Sequence, residues 1–125
     1  MKSGFRDTLD FILKKFGMTN RDAIGTVWSV GESMWLIIQA MGYRVERGIS
    51  HPTYDYIIIS EKKSILPNVL DCLTKLNSGG ILVFRLIDEL KTIKVMNALP
   101  IVTGHKLFVY EYGENKLLGV LGKNI

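Results

Sequence analysis

Tyr54-Asp55-Tyr56-Ile57-Ile58-Ile59-Ser60 is the stretch that decides the fold of this chain. It is a continuous run of aromatic and β-branched side chains with no polar alternation after Asp55, the composition of a strand buried on both faces. A strand of that kind belongs inside a parallel sheet with helices on either side. The run therefore predicts the central strand of an α/β domain.

Working toward the carboxyl terminus, Ser64 can cap a helix and Pro67 is tolerated in its first turn. Leu66, Val69, Leu70, Leu73 and Leu76 recur at helical spacing as its apolar stripe, and Asn77-Ser78-Gly79-Gly80 is expected to stop it. Ile81-Leu82-Val83-Phe84-Arg85-Leu86 predicts a second interior strand. Asp88 and Glu89 suit the positive end of a following helix that runs to about Leu99, with Pro100 as its stop. Residues 106–112 and 116–121 then flank Gly113-Glu114-Asn115 as a β-hairpin.

Toward the amino terminus, Thr26-Val27-Trp28-Ser29-Val30 predicts a short buried strand, broken by Gly31 before a helix over 32–41 that Gly42 terminates. Phe5, Leu9, Ile12, Leu13 and Phe16 mark an amphipathic helix over about 5–16, stopped by Gly17. Residues 43–49 alternate weakly enough to be a second strand. Only nine residues run from Glu46 to Tyr54, at most about 30 Å fully extended. Either this strand is very short and the chain crosses over the first strand, or the two segments form an antiparallel hairpin, or 43–49 is no strand. The expected architecture is a single α/β domain over 1–125, a doubly wound Rossmann-like three-layer sandwich. Its mostly parallel sheet has about six strands and ends in an antiparallel hairpin, with an extra N-terminal helix.

Composition agrees with one ordered domain: 125 residues, 47% hydrophobic and 22% charged. The net charge of +4 is spread over Lys14-Lys15, Lys62-Lys63, Lys91, Lys94, Lys116 and Lys123, the pattern of a solvated surface. A nucleic-acid partner would require these lysines to converge on one face. The single Cys72 excludes an internal disulfide and a cysteine-based zinc site, and it points to a reducing, cytoplasmic setting. Apolar stretches such as 34–41 fall well short of the roughly 20 residues of a membrane span, and residues 1–16 lack the pattern of a secretory signal. No membrane partner is expected.

In doubly wound sheets ligands bind beyond the carboxyl ends of the strands, where strand order reverses. That rule selects Gly31 and Glu32 after the first strand and 60–63 after the central one. Glu32 can contact an amine or hydroxyl, or simply complement the helix dipole. Ser29 and Ser33 can donate to a carboxylate or phosphate, or serve as loop and capping hydroxyls. Ser60 and Glu61 are placed to reach a ligand, but solvent exposure alone would also make a strand end polar. His51 and His105 have no metal-ligand pairing in sequence, so no metal site is expected. Cys72 belongs with the helix stripe as a small core residue, and Trp28 and Trp35 as packing residues. Gly-x-Ser-x-Gly, the P-loop and a full Gly-x-Gly-x-x-Gly are all absent.

About two-thirds of the chain resembles the class I S-adenosylmethionine-dependent methyltransferases. Tyr54-Asp55-Tyr56-Ile57-Ile58 is similar to the family's fourth strand, and Leu73-Thr74-Lys75-Leu76-Asn77-Ser78-Gly79-Gly80-Ile81-Leu82-Val83 to its helix, Gly-Gly turn and fifth strand. Phe108-Val109-Tyr110 and Lys116-Leu117-Leu118-Gly119-Val120 resemble the closing hairpin. The resemblance implies S-adenosylmethionine as cofactor. It implies Ser29, Val30, Gly31 and Glu32 at the first loop, Glu46 at the ribose, and Ser60 and Glu61 toward substrate or cofactor. It indicates no catalytic residue, and the acceptor is open.

The chain departs from that pattern in several places. Val30-Gly31-Glu32-Ser33-Met34 has one glycine where the family's loop is glycine-rich, and Glu46 lies inside its segment rather than after it. Ser60-Glu61-Lys62-Lys63 stands where nitrogen methylation would place an acid or Asn, two prolines and an aromatic ring. Between Ile49 and Tyr54 there is no room for the family's next helix and third strand. The alternative is a non-enzymatic interaction subunit on the same scaffold. Phe108, Tyr110 and Tyr112, if exposed together, would mark a homodimer or partner interface; burial would remove that inference.

Overall fold

The computed structural model describes residues 4–17, 27–30, 32–47, 53–59, 65–86, 94, 97–101, 103–114 and 116–122, with backbone alone at 27–30, 32–35, 46, 47, 65–67 and 86. In chain order the elements are α1 (Phe5–Lys15), β1 (Val27–Val30), α2 (Glu32–Ala40), β2 (Val45–Arg47), β3 (Tyr54–Ile59), α3 (Ile65–Leu73), β4 (Leu76–Leu86), β5 (Lys106–Gly113) and β6 (Lys116–Gly122). The strands form one mixed sheet in the order β2-β1-β3-β4-β6-β5.

The two apolar runs lie side by side in the same direction, with Ile57 beside Leu82, Ile58 beside Val83 and Ile59 beside Phe84. β1 is parallel to both β2 and β3, while β6 runs antiparallel to β4 and to β5. Alternate side chains feed two cores. On one face Leu9, Ile12 and Leu13 of α1 and Ile38 of α2 meet Ile58, Ile81, Val83, Leu118 and Val120. On the other, Val69, Cys72 and Leu73 of α3 meet Ile57, Ile59, Leu82, Phe84 and Leu121. Leu9, Ile12 and Leu13 are wholly buried, each contributing about 2 kcal/mol of apolar burial. The apolar stripe of the amphipathic first helix is thus part of the core.

α1 runs along β5, with ring pairs Phe5–Tyr112, Phe11–Tyr110 and Phe16–Phe108 at centroid distances of 5.3, 6.0 and 5.4 Å. Gly17 and Gly42 end α1 and α2 at φ 114° and 93°, backbone that other residues rarely adopt. Tyr43 then donates a hydrogen bond to Asp10 at 2.5 Å, tying the end of α2 to α1.

The second strand is the short version. β2 has three residues, and its register sets Arg47 level with Ser29 and hence with Ile58. Two strand spacings and four residue levels separate Arg47 from Tyr54, about 16 Å in all, within the roughly 23 Å that seven residues span. A connection of this length is thus long enough for the parallel arrangement.

Several expectations are corrected. Asn77-Ser78-Gly79-Gly80 does not precede β4 as a stop but lies within it, as a bulge between the Tyr54–Leu76 and Tyr56–Ile81 pairs. Leu76 therefore opens β4 instead of closing the helix stripe, and Leu70 is 38% exposed. Pro100 does not end its helix: residues 97–101 are helical, and the Pro100 carbonyl accepts the Gly104 N–H at 3.0 Å. Near a helix C-terminus the missing proline N–H removes one bond without preventing another turn. Phe108, Tyr110 and Tyr112 are half-buried and pack against α1. Ser64, Asp88 and Glu89 lie outside the described residues.

Candidate functional site

The sheet's strand order reverses between β1 and β3. From β1 the chain passes through α2 to β2 on one side; from β3 it passes through α3 to β4 on the other, with α2 and α3 on opposite faces. The crevice of a doubly wound sheet opens at such a point. Val30 and Ile59, the last residues of β1 and β3, are paired Cα neighbours there. The carboxyl ends of β1 and β3 therefore lie at the same edge of the sheet.

The expected site residues divide accordingly. Ser29 and Val30 end β1, and Glu32 is the first residue of α2, so all three flank the crevice through their backbone positions. Gly31, Ser60 and Glu61 lie outside the described residues, as does His51. Glu46 is the middle residue of β2, level with Trp28, and so two levels below Val30. Arg47 holds the carboxyl end of β2, beside Ser29. Sequence reasoning missed Arg47 because periodicity did not fix where so short a strand ends.

Arg85 is a second residue missed from sequence. It lies next to last in β4, half-buried on the α1 face, with its guanidinium carbon 4.7 Å from the centre of the Phe5 ring. Its Nε is buried without a hydrogen-bond partner. An interior-strand reading of 81–86 gives no hint of this, since the stacking ring arrives from α1.

The resolved electrostatic shifts are elsewhere. Burial, with Asp55 adding to it, raises the Tyr56 phenol, whose oxygen lies 3.4 Å from the Phe16 carbonyl. Burial, followed by the Asp71 charge, pushes the Cys72 thiol up to about 11 against a smaller opposing effect of Lys75. Both serve the packing of the helical layers. Among the described residues no three His, Cys, Asp or Glu side chains come together as a metal site, and no helix is long and apolar enough to cross a membrane.

No protein-family model matches the sequence, and no curated protein matches it. Solved structures do match in fold. Precorrin-6y C5,15-methyltransferase from Geobacter metallireducens aligns over 95% of this chain and 88% of its own at 13% identity, TM-score 0.62. Ribosomal protein L11 methylase from Lactobacillus delbrueckii aligns over 96% and 79% at 11% identity, TM-score 0.64. Human methyltransferase-like protein 13, in complex with SAH, aligns over 82% and 73% at 13% identity, TM-score 0.56. The chain shares its fold with these methyltransferases.

Proposed function

We propose that this chain is a single S-adenosylmethionine-binding, methyltransferase-like domain of the cytoplasm. The observation that carries the reading is the switch point at Val30 and Ile59, with α2 beginning two residues after β1, in a fold shared with a methyltransferase solved with SAH. The residues that would hold the cofactor are Ser29, Val30, Gly31 and Glu32 at the first loop and Ser60 and Glu61 beyond β3, with Glu46, one residue inside the end of β2, toward the ribose. When bound, the cofactor supplies an electrophilic methyl group. The protein's part is to fix that group at the strand ends and exclude water from it.

Thermal unfolding with and without S-adenosylmethionine or its demethylated product tests the proposal. Ligand at 100 times its dissociation constant stabilises by about 2.7 kcal/mol. That corresponds to a Tm rise of roughly 10 °C for a domain of this size. No rise at millimolar ligand overturns cofactor binding. The second reading, an interaction subunit without the cofactor, is favoured by one feature: the sheet ends at a three-residue strand only six residues before β3 begins. It predicts no rise with either ligand.

A further inference from the structure

Arg85 is held in place while its donors go unused. Its guanidinium carbon lies 4.7 Å from the centre of the Phe5 ring, and Tyr112 packs T-shaped on that ring at a centroid distance of 5.3 Å. A ring face attracts the cation but leaves the in-plane N–H donors of the guanidinium unmet. Nε is buried with no acceptor, and among the described residues no acid is paired with Arg85. Burying part of a charged donor set without a partner is costly, and an anion on the remaining donors offsets that cost.

The guanidinium belongs to the ligand edge of the sheet. Val30, Ile59 and Phe84 are level on three adjacent strands, and Arg85 lies one residue farther toward the carboxyl ends of β3 and β4. Two strand spacings, about 10 Å, separate it from β1, so it stands beside the first loop rather than in it. A second cation shares its face. Arg85 pairs with Leu118 of the α1-side core, and Lys116, two residues along β6 from Leu118, is on that same side by the alternation of a strand. Such diagonal neighbours have Cα atoms about 7–8 Å apart, within reach of long side chains. Lys116 is exposed, its stem lies over Gly113, and among the described residues no acid is paired with it.

We propose that Arg85, with Lys116 beside it, binds an oxyanion, a carboxylate or a phosphate, carried by the acceptor molecule. The acceptor role rests on the methyltransferase-like reading given above; the anion site rests on Arg85, Phe5 and Lys116 alone. The two Nη nitrogens donate end-on to two oxygens of the anion, while the Phe5 ring fixes the plane of the fork. Lys116 adds a point charge from the solvent side. The anion thereby anchors the acceptor one strand beyond the switch point.

Proton–nitrogen correlation spectra of the full chain test the site, with sodium phosphate and, separately, sodium acetate titrated against chloride at constant pH and ionic strength and without cofactor. A saturable shift is expected at the Arg85 side-chain N–H and at the Phe5 and Leu118 amides, half complete at millimolar phosphate or acetate. The tighter of the two identifies the anion as phosphate or carboxylate. Arg85→Gln is expected to weaken this binding at least about tenfold and Lys116→Gln about threefold. Arg85→Lys, which keeps the charge and loses the fork, should recover only part of the Arg85→Gln loss. Lys116 is exposed, so Lys116→Gln folds whatever Arg85→Gln does. No saturable shift with either anion, or one that the glutamine variants leave unchanged, overturns the proposal. Displacement of the anion by the demethylated cofactor would give Arg85 to the cofactor's own carboxylate and overturn the acceptor role. Failure of the cofactor reading looks different: the Tm rise with that product is absent while the anion titration stands.

Discussion

The ring of Phe84 lies across Gly119, its antiparallel partner on β6. A Cβ added at Gly119 would stand 2.5 Å from Cζ and 2.6 Å from Cε2 of that ring. Phe84 is wholly buried and cannot swing away. Gly119→Ala is therefore expected to destabilise the fold by about 1–3 kcal/mol through overpacking, read as a lower urea midpoint with unchanged slope. Phe84→Leu in the Gly119→Ala background should recover part of the loss. A Gly119→Ala protein as stable as wild type would show that the ring is free to move.

The β4 bulge makes a sharper distinction between neighbouring glycines. Gly79 has φ 82° but nothing within 4 Å of an added Cβ, so Gly79→Ala carries conformational strain alone, about 1 kcal/mol. At Gly80 the same atom would meet the Asp55 carbonyl at 2.6 Å and the Asn77 carbonyl at 2.9 Å. Backbone cannot yield as a flexible side chain does, so Gly80→Ala is expected to cost more than Gly79→Ala. Chemical denaturation of the two variants checks the order, and equal losses would refute it.

This bulge also shows where the sequence was readable and where it was not. Ile57–Ile59 and Ile81–Phe84 could be placed because burial on both faces leaves a continuous apolar run, visible without any partner. Asn77-Ser78-Gly79-Gly80 has the local chemistry of a stop, and its place inside β4 depends on Asp55, 22 residues from Asn77, whose carboxylate accepts the Asn77 amide at 3.0 Å. The half-burial of Phe108, Tyr110 and Tyr112 likewise depends on α1, about a hundred residues earlier. At the candidate site, the crevice beyond Val30 followed from alternating strands and helices. The level of Glu46 did not, because it is set by the β1–β2 register, and one residue's slip changes which side chain reaches the edge.

Asp10 makes one contact that ties α1 to the rest of the domain and one within α1 itself. It accepts the Tyr43 hydroxyl, and its second oxygen lies 2.8 Å from Lys14 Nζ. Lys14 is half exposed, so that ion pair contributes little, whereas Tyr43 is buried and its bond is to a charged acceptor. Tyr43→Phe is expected to destabilise by about 1–2 kcal/mol, and Lys14→Ala by less than about 0.5 kcal/mol. In a double-mutant cycle, Asp10→Asn and Tyr43→Phe should couple by about 1 kcal/mol, while Asp10 and Lys14 should not couple measurably. Independent behaviour of Asp10 and Tyr43 would remove this hydrogen bond from the account of how α1 is held.

Cys72 and Tyr56 predict how stability fails in alkali. Both have native pKa values above their unfolded ones, so the folded state keeps protons that the unfolded state releases. For Cys72 this contribution is intact below the unfolded thiol value of 9.0 and disappears as pH rises through about 11. Its full size is at most about 3 kcal/mol. Tyr56 adds a loss in the same direction above 10.0. Urea midpoints should thus hold steady from pH 7 to 9 and fall from 9 to 11. In Cys72→Ala the starting stability is lower because a buried side chain is shortened, but the fall between pH 9 and 11 is shallower. The native thiol, 3% exposed and protonated at neutral pH, should react slowly with iodoacetamide until urea unfolds the chain. Rapid alkylation in the native state, or an equally steep alkaline fall in Cys72→Ala, would mean that the α3 layer does not shield this thiol.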